Sequence, residues 1–75
     1  MEIYYDVVDF KGLGKHQISV LHEGDKIKNY WVKVHYIRWC NEHASVKPLI
    51  RDQGEVVQIF FMHKHDAMQF KLVFG

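Results

Sequence analysis

Cys40 is the only cysteine in a chain of 75 residues, and this narrows the ways such a chain can hold a fold. The length fits one domain, residues 1–75, because an independent core needs about 50 residues or more. A domain of this size buries only roughly 60% of the surface that its unfolded chain exposes, so it is usually supplemented by disulfides, a structural metal or oligomerisation. A lone cysteine excludes an internal disulfide and points to a reducing compartment. Metal and self-association are the supplements left.

Composition removes several classes. With 48% apolar residues, among them five Phe, two Trp and four Tyr, the chain is too apolar for disorder and predicts a compact core. No apolar run approaches the roughly 20 residues of a membrane span. The opening Met1-Glu2-Ile3-Tyr4-Tyr5-Asp6 has neither a positive n-region nor an apolar h-region, so a cytoplasmic location is expected. Ten basic and nine acidic side chains leave a net charge of +1, too small a field to recruit nucleic acid or anionic lipid by charge.

Local patterning predicts an α+β domain: an antiparallel sheet with two helices in the order ββαββαβ. Ile3 to Phe10 alternates as a strand, with Ile3, Tyr5 and Val7 on one face and Tyr4, Asp6 and Val8 on the other. A turn at Lys11-Gly12-Leu13-Gly14 leads to a second strand, Lys15 to His22, with Ile18 and Val20 against Ser19 and Leu21. Asp25 is a candidate helix cap. In Lys26 to His43 the spacing of Ile27, Tyr30, Trp31, Val34 and Ile37 predicts one helix, against an alternative of a strand followed by a short helix. Ser45 to Arg51 and Glu55 to Met62 read as a hairpin about Asp52-Gln53-Gly54, with Pro48 placing the first of these strands at an edge. In the second strand, Val57, Ile59 and Phe61 form the core face. His63 to Lys71 predicts a short helix, and Leu72-Val73-Phe74 a closing strand. Without the extra hairpin this order becomes the ferredoxin-like βαββαβ arrangement.

Chemistry-bearing residues are sparse. Six histidines suggest metal, and Cys40 with His43, and His63 with His65, have the donor types of a tetrahedral zinc site. Their spacings are not diagnostic, and the plainer reading is a core cysteine with solvated or hydrogen-bonded histidines, so no cofactor is expected. The chain has no threonine, and its two serines, Ser19 and Ser45, lie in no nucleophile elbow. Gly12-Leu13-Gly14-Lys15 lacks both the spacing and the following hydroxyl residue of a phosphate loop. The carboxylates are dispersed. No catalysis is expected.

One surface is expected to do the work. Tyr4, Val8, Val56 and Phe60 fall on the sheet face opposite the core positions, and an apolar sheet face in so small a domain needs a cover. Self-association, as a two-fold dimer, or docking onto another protein supplies one. Tyr4 and Phe60 also stand where an RNA-recognition module keeps its stacking aromatics, yet Gly54-Glu55-Val56-Val57-Gln58-Ile59-Phe60-Phe61 lacks that module's basic, glycine-containing run. The expected function is a protein-interaction or self-assembly module. The alternatives are a zinc-binding domain using Cys40, His43, His63 and His65, and a weak nucleic-acid-binding module.

The C-terminal Phe61-Met62-His63-Lys64-His65-Asp66-Ala67-Met68-Gln69-Phe70-Lys71-Leu72-Val73-Phe74-Gly75 resembles the closing segment of small uncharacterised proteins of T4-like marine bacteriophages. Trp39-Cys40 followed by Glu42 is similar to the end of their first helix. The resemblance implies a phage accessory protein in a bacterial cytoplasm, with a host or phage protein as partner, and no particular chemistry. It departs at the Lys15 to His22 hairpin and at His43. In the short helix Ala67 is small where helix and sheet come close, and Met68 and Leu72, four apart, are expected to face the core.

Overall fold

A computed structural model of the chain describes residues 2–9, 15–22 and 26–75, with the side chains of the first helix described from residue 33. The elements run β1 (Glu2–Val7), β2 (His16–Leu21), α1 (Lys26–His43), β3 (Leu49–Gln53), β4 (Val56–Phe61) and α2 (Lys64–Phe74). The four strands form one antiparallel sheet in the order β1-β2-β4-β3. The α+β class, with an antiparallel sheet and two helices, is the one predicted. Phe10, the turn at Lys11-Gly12-Leu13-Gly14, the cap at Asp25 and the side chains of Ile27, Tyr30 and Trp31 lie outside the described residues.

Both helices cover one face of the sheet. Ile18 and Val20 of β2 and Val57, Ile59 and Phe61 of β4 are buried with Tyr36 and Cys40 of α1 and Ala67 and Phe70 of α2. The alternation read in β2 and β4 therefore points its apolar members as expected. Phe70 is the hub: its ring lies 5.3 Å from Tyr36, 5.6 Å from Trp39, 5.7 Å from Phe61 and 4.6 Å from Phe74, centre to centre. These separations lie in the range where tilted and edge-on aromatic pairs attract.

The predicted single helix over residues 26–43 is present, but its inward side differs from expectation. Tyr36 and Cys40, four apart, are buried, whereas Ile37 is exposed. The closing strand at Leu72-Val73-Phe74 does not form, and α2 continues to Phe74. The reason is packing: Phe70 and Phe74 are four apart, so a helix brings their rings into contact at 4.6 Å where a strand would part them by about 13 Å, and Phe74 meets Tyr36 at 4.9 Å. Gly75 then closes the last turn, its N–H donating to Lys71 O at 2.7 Å. The same geometry turns Leu72 away from the core, 85% exposed, while Met68 remains packed against it.

The β2-α1-β3 passage returns to the sheet with β4 inserted between β2 and β3, a split βαβ connection. The place beside β2 is filled by β1, from the N-terminal side of the chain, and not by a strand after the second helix. β3 begins at Leu49 and not at Ser45. Ser45 is held away from the sheet by Asp66, which accepts its backbone N–H at 3.0 Å and its hydroxyl at 3.3 Å. β3 is an edge strand, as Pro48 implies. Its hairpin to β4 uses a two-residue loop, since Gln53 is opposite Val56, and Gly54 takes the positive φ, 78°, that such loops favour. Among the described residues, no helix is long and apolar enough to cross a membrane.

Candidate functional site

The sheet face away from the helices carries Glu2, Tyr4 and Asp6 of β1, Gln17, Ser19 and Leu21 of β2, Val56, Gln58 and Phe60 of β4, and Leu49, Arg51 and Gln53 of β3, as register and alternation require. The stripe expected to be its contact surface is not continuous. Tyr4 is 56% exposed, Val8 and Val56 are half-buried, and Phe60 is only 2% exposed. Phe60 sits in the central strand β4, directly between Gln17 and Leu49, so it is unavailable to a partner or to a nucleic-acid base. Ser19 and Gln58 separate Tyr4 from the other edge. This face is largely polar.

The sheet edges differ more sharply. Val8 N–H donates to Lys15 O at 2.7 Å, and His22 N–H donates to Glu55 O at 2.6 Å. Antiparallel ladders alternate between bonded and non-bonded pairs, so Glu2, Tyr4 and Asp6 direct their main-chain groups toward β2. Ile3, Tyr5 and Val7 direct theirs outward, to an edge with no further strand among the described residues. On that side the Val7 N–H donates to its neighbour Asp6 Oδ1 at 2.8 Å. By the same alternation Ile50 and Asp52 face outward from β3.

Edge strands are normally guarded by proline, charge or shortness. β3 has all three: Pro48 lacks a donor, the strand has five residues, and Asp52 is paired with Lys33 Nζ at 2.8 Å. Lys33 also donates to Gly54 O at 2.8 Å, tying α1 to the hairpin, and its hydrogen bond holds the Asp52 carboxyl below its usual range. β1, Glu-Ile-Tyr-Tyr-Asp-Val, has six residues with no proline, glycine or lysine, its charges being Glu2 and the Asp6 carboxylate that accepts the Val7 N–H. Its Val7 is 63% exposed. Tyr4 donates to the Glu2 carboxylate, and that hydrogen bond raises the pKa of the phenol. The candidate positions not singled out in the sequence are therefore Ile3, Tyr5 and Val7, and the contrast between β1 and the Pro48-led strand was the signal that could have pointed to them.

The candidate metal ligands have other surroundings. Cys40 is buried in the core, and burial together with the Asp66 charge pushes its thiol up to about 12, which disfavours the thiolate a metal needs. His43 is exposed, its ring 5.2 Å from Trp39. His63 and His65 are exposed at the start of α2. Among the described residues, no group of three His, Cys, Asp or Glu side chains is gathered to hold a metal ion.

An open cleft of about 530 Å³ along α2 is lined by His65, Met68, Gln69, Lys71, Leu72 and Gly75; it brings together no nucleophile with a base. His22 is buried beside Tyr36, with Nε2 3.1 Å from the phenol oxygen and the rings stacked at 5.6 Å. Burial lowers the His22 pKa, Lys33 lowering it further, and raises Tyr36 to about 12. That pair is packed into the buried interior. Compared with family models, curated proteins and solved structures, the chain gives no match.

Proposed function

We propose that this chain is a non-catalytic protein-interaction module that joins partners by strand addition at the free edge of β1. The observation that carries the reading is the outward row of Ile3, Tyr5 and Val7 main-chain groups on an edge that has no proline or lysine and, among the described residues, no further strand beside it. An extended segment laid along that row makes main-chain hydrogen bonds, and alternate side chains add specificity. The exposed Val7 and Tyr4 give it apolar contact on both faces. The lone buried Cys40 suits a reducing, cytoplasmic setting, and the resemblance of the C-terminal segment suits a small phage accessory protein. The zinc reading is disfavoured by the burial of Cys40, and the nucleic-acid reading by the burial of Phe60.

A synthetic peptide with the sequence of residues 2–8 tests the edge, because a strand that pairs with β2 presents the right alternation to β1 as well. Titrated into isotope-labelled protein, it is expected to shift the Ile3, Tyr5 and Val7 amides and slow their exchange with solvent. Ile3→Pro removes one outward donor and leaves the bonds to β2, so it should weaken that response. Perturbation confined to α2, or no perturbation, would refute strand addition.

A further inference from the structure

We infer that the strand added at this edge is β1 of a second copy, in one register: antiparallel and centred on Tyr5. The inference rests on the strand-addition reading and names its partner. With Tyr5 opposite Tyr5, Ile3 falls opposite Val7 of the second copy, and Val7 opposite its Ile3. All three are the outward-facing residues, so each opposed pair exchanges both main-chain bonds once the Val7 N–H is released from Asp6 Oδ1, the arrangement of a bonded antiparallel pair. The two-fold axis then stands perpendicular to the sheet, both helix layers lie on the same side, and two four-stranded sheets become one continuous sheet.

Charge selects the same register. Centring on Tyr4 sets Glu2 against Asp6 of the second copy, and centring on Asp6 sets that carboxylate against itself; like charges directly opposed destabilise a ladder. Centring on Tyr5 puts Asp6 against Tyr4 of the second copy, so a phenol meets the carboxylate that now holds the Val7 N–H. On the helix side it sets exposed Val7 on half-buried Ile3, extending an apolar row that Ile3 and Tyr5 already share with the core. The opposite edge has no equivalent, because Pro48 cannot donate and Asp52 is engaged by Lys33. A strand edge is a small contact, so the dimer forms and dissociates with concentration.

Sedimentation of the whole chain from about 10 µM to about 1 mM should show monomer giving way to dimer. Val7→Lys, at an exposed position, should keep the far-ultraviolet spectrum and abolish the dimer. Register is read by mixing a Tyr4→Cys variant with an Asp6→Cys variant under mild oxidation, Cys40 being buried. The mixed disulfide should form at least about tenfold faster than either variant links to itself, because pairing raises the effective concentration of the opposed thiols. Faster self-linking of Tyr4→Cys, or a dimer indifferent to Val7→Lys, overturns the inference. A monomer at all concentrations also overturns it; if the residue 2–8 peptide still engages Ile3, Tyr5 and Val7, strand addition stands with a different partner, and if it does not, both fall.

Discussion

His22 is 4% exposed at the end of β2, hydrogen-bonded and stacked against Tyr36. Enclosure disfavours its charged form, Lys33 adds repulsion, and Asp52 opposes both more weakly. In the unfolded chain the imidazole takes a proton near 6.5, and in the fold only at lower pH. Between those values the unfolded state holds more protons, so stability rises with pH there. The contribution is complete above about 6.5 and is lost as pH falls through that value toward the folded one. The urea midpoint is accordingly expected to fall between about pH 7.5 and pH 5, and His22→Gln should flatten the decline. An equal decline in that variant would place the acid sensitivity elsewhere. Among individual residues, the inward positions Ile18, Val20, Val57, Ile59 and Phe61 were legible from alternation alone. Burial of Phe60 was not, because alternation assigns a face and does not tell whether neighbouring strands enclose it.

At the scale of the element, α2 depends on one buried carboxylate. Asp66, 2% exposed in the first turn, accepts two hydrogen bonds from Ser45 and so fixes the α1–β3 connection to the helix start. Asp66→Ala leaves the Ser45 N–H without its acceptor. Hydrogen bonds to charged groups contribute about 1.5–3 kcal/mol each, so a loss of about 2–3 kcal/mol is expected by denaturant unfolding. Asp66→Asn, which keeps one acceptor oxygen, should lose less. A neutral Asp66→Ala would show that the connection is held by packing around Pro48 and Ala67. The bounds of α1 were readable from periodicity, with its inward side rotated toward Tyr36 and Cys40. The last turn of α2 was not readable, since Leu72-Val73-Phe74 has strand-like composition and becomes helical through the contact of Phe74 with rings distant in sequence.

For the whole molecule, one aromatic hub joins both helices to the sheet. Phe70 touches the rings of Tyr36, Trp39, Phe61 and Phe74 and is fully buried. Truncating a buried Phe to Ala costs about 3–5 kcal/mol, and domains have only about 5–15 kcal/mol in total, the small ones at the low end. Phe70→Ala is therefore expected to lose cooperative thermal unfolding near physiological temperature, as circular dichroism at 222 nm would show. A cooperative transition within a few degrees of the parent would mean that Trp39 and Phe74 close over the vacancy.

By itself the sequence determined what is local: no internal disulfide, a helix over residues 26–43, a glycine turn at Gly54, and apolar faces in β2 and β4. Each follows from composition, period or the steric freedom of a single residue. The tertiary structure alone decided that β1 lies beside β2, that β4 separates β2 from β3, and that the chain ends in a helix. Those outcomes depend on pairings between segments far apart in the chain, and a strand has the same period of two whether it is central or at an edge. The difference matters here because it decides which main-chain groups are bonded and which are free. That is why Ile3, Tyr5 and Val7 emerged from the sheet order, and not from the motif search, as the positions a partner strand would meet.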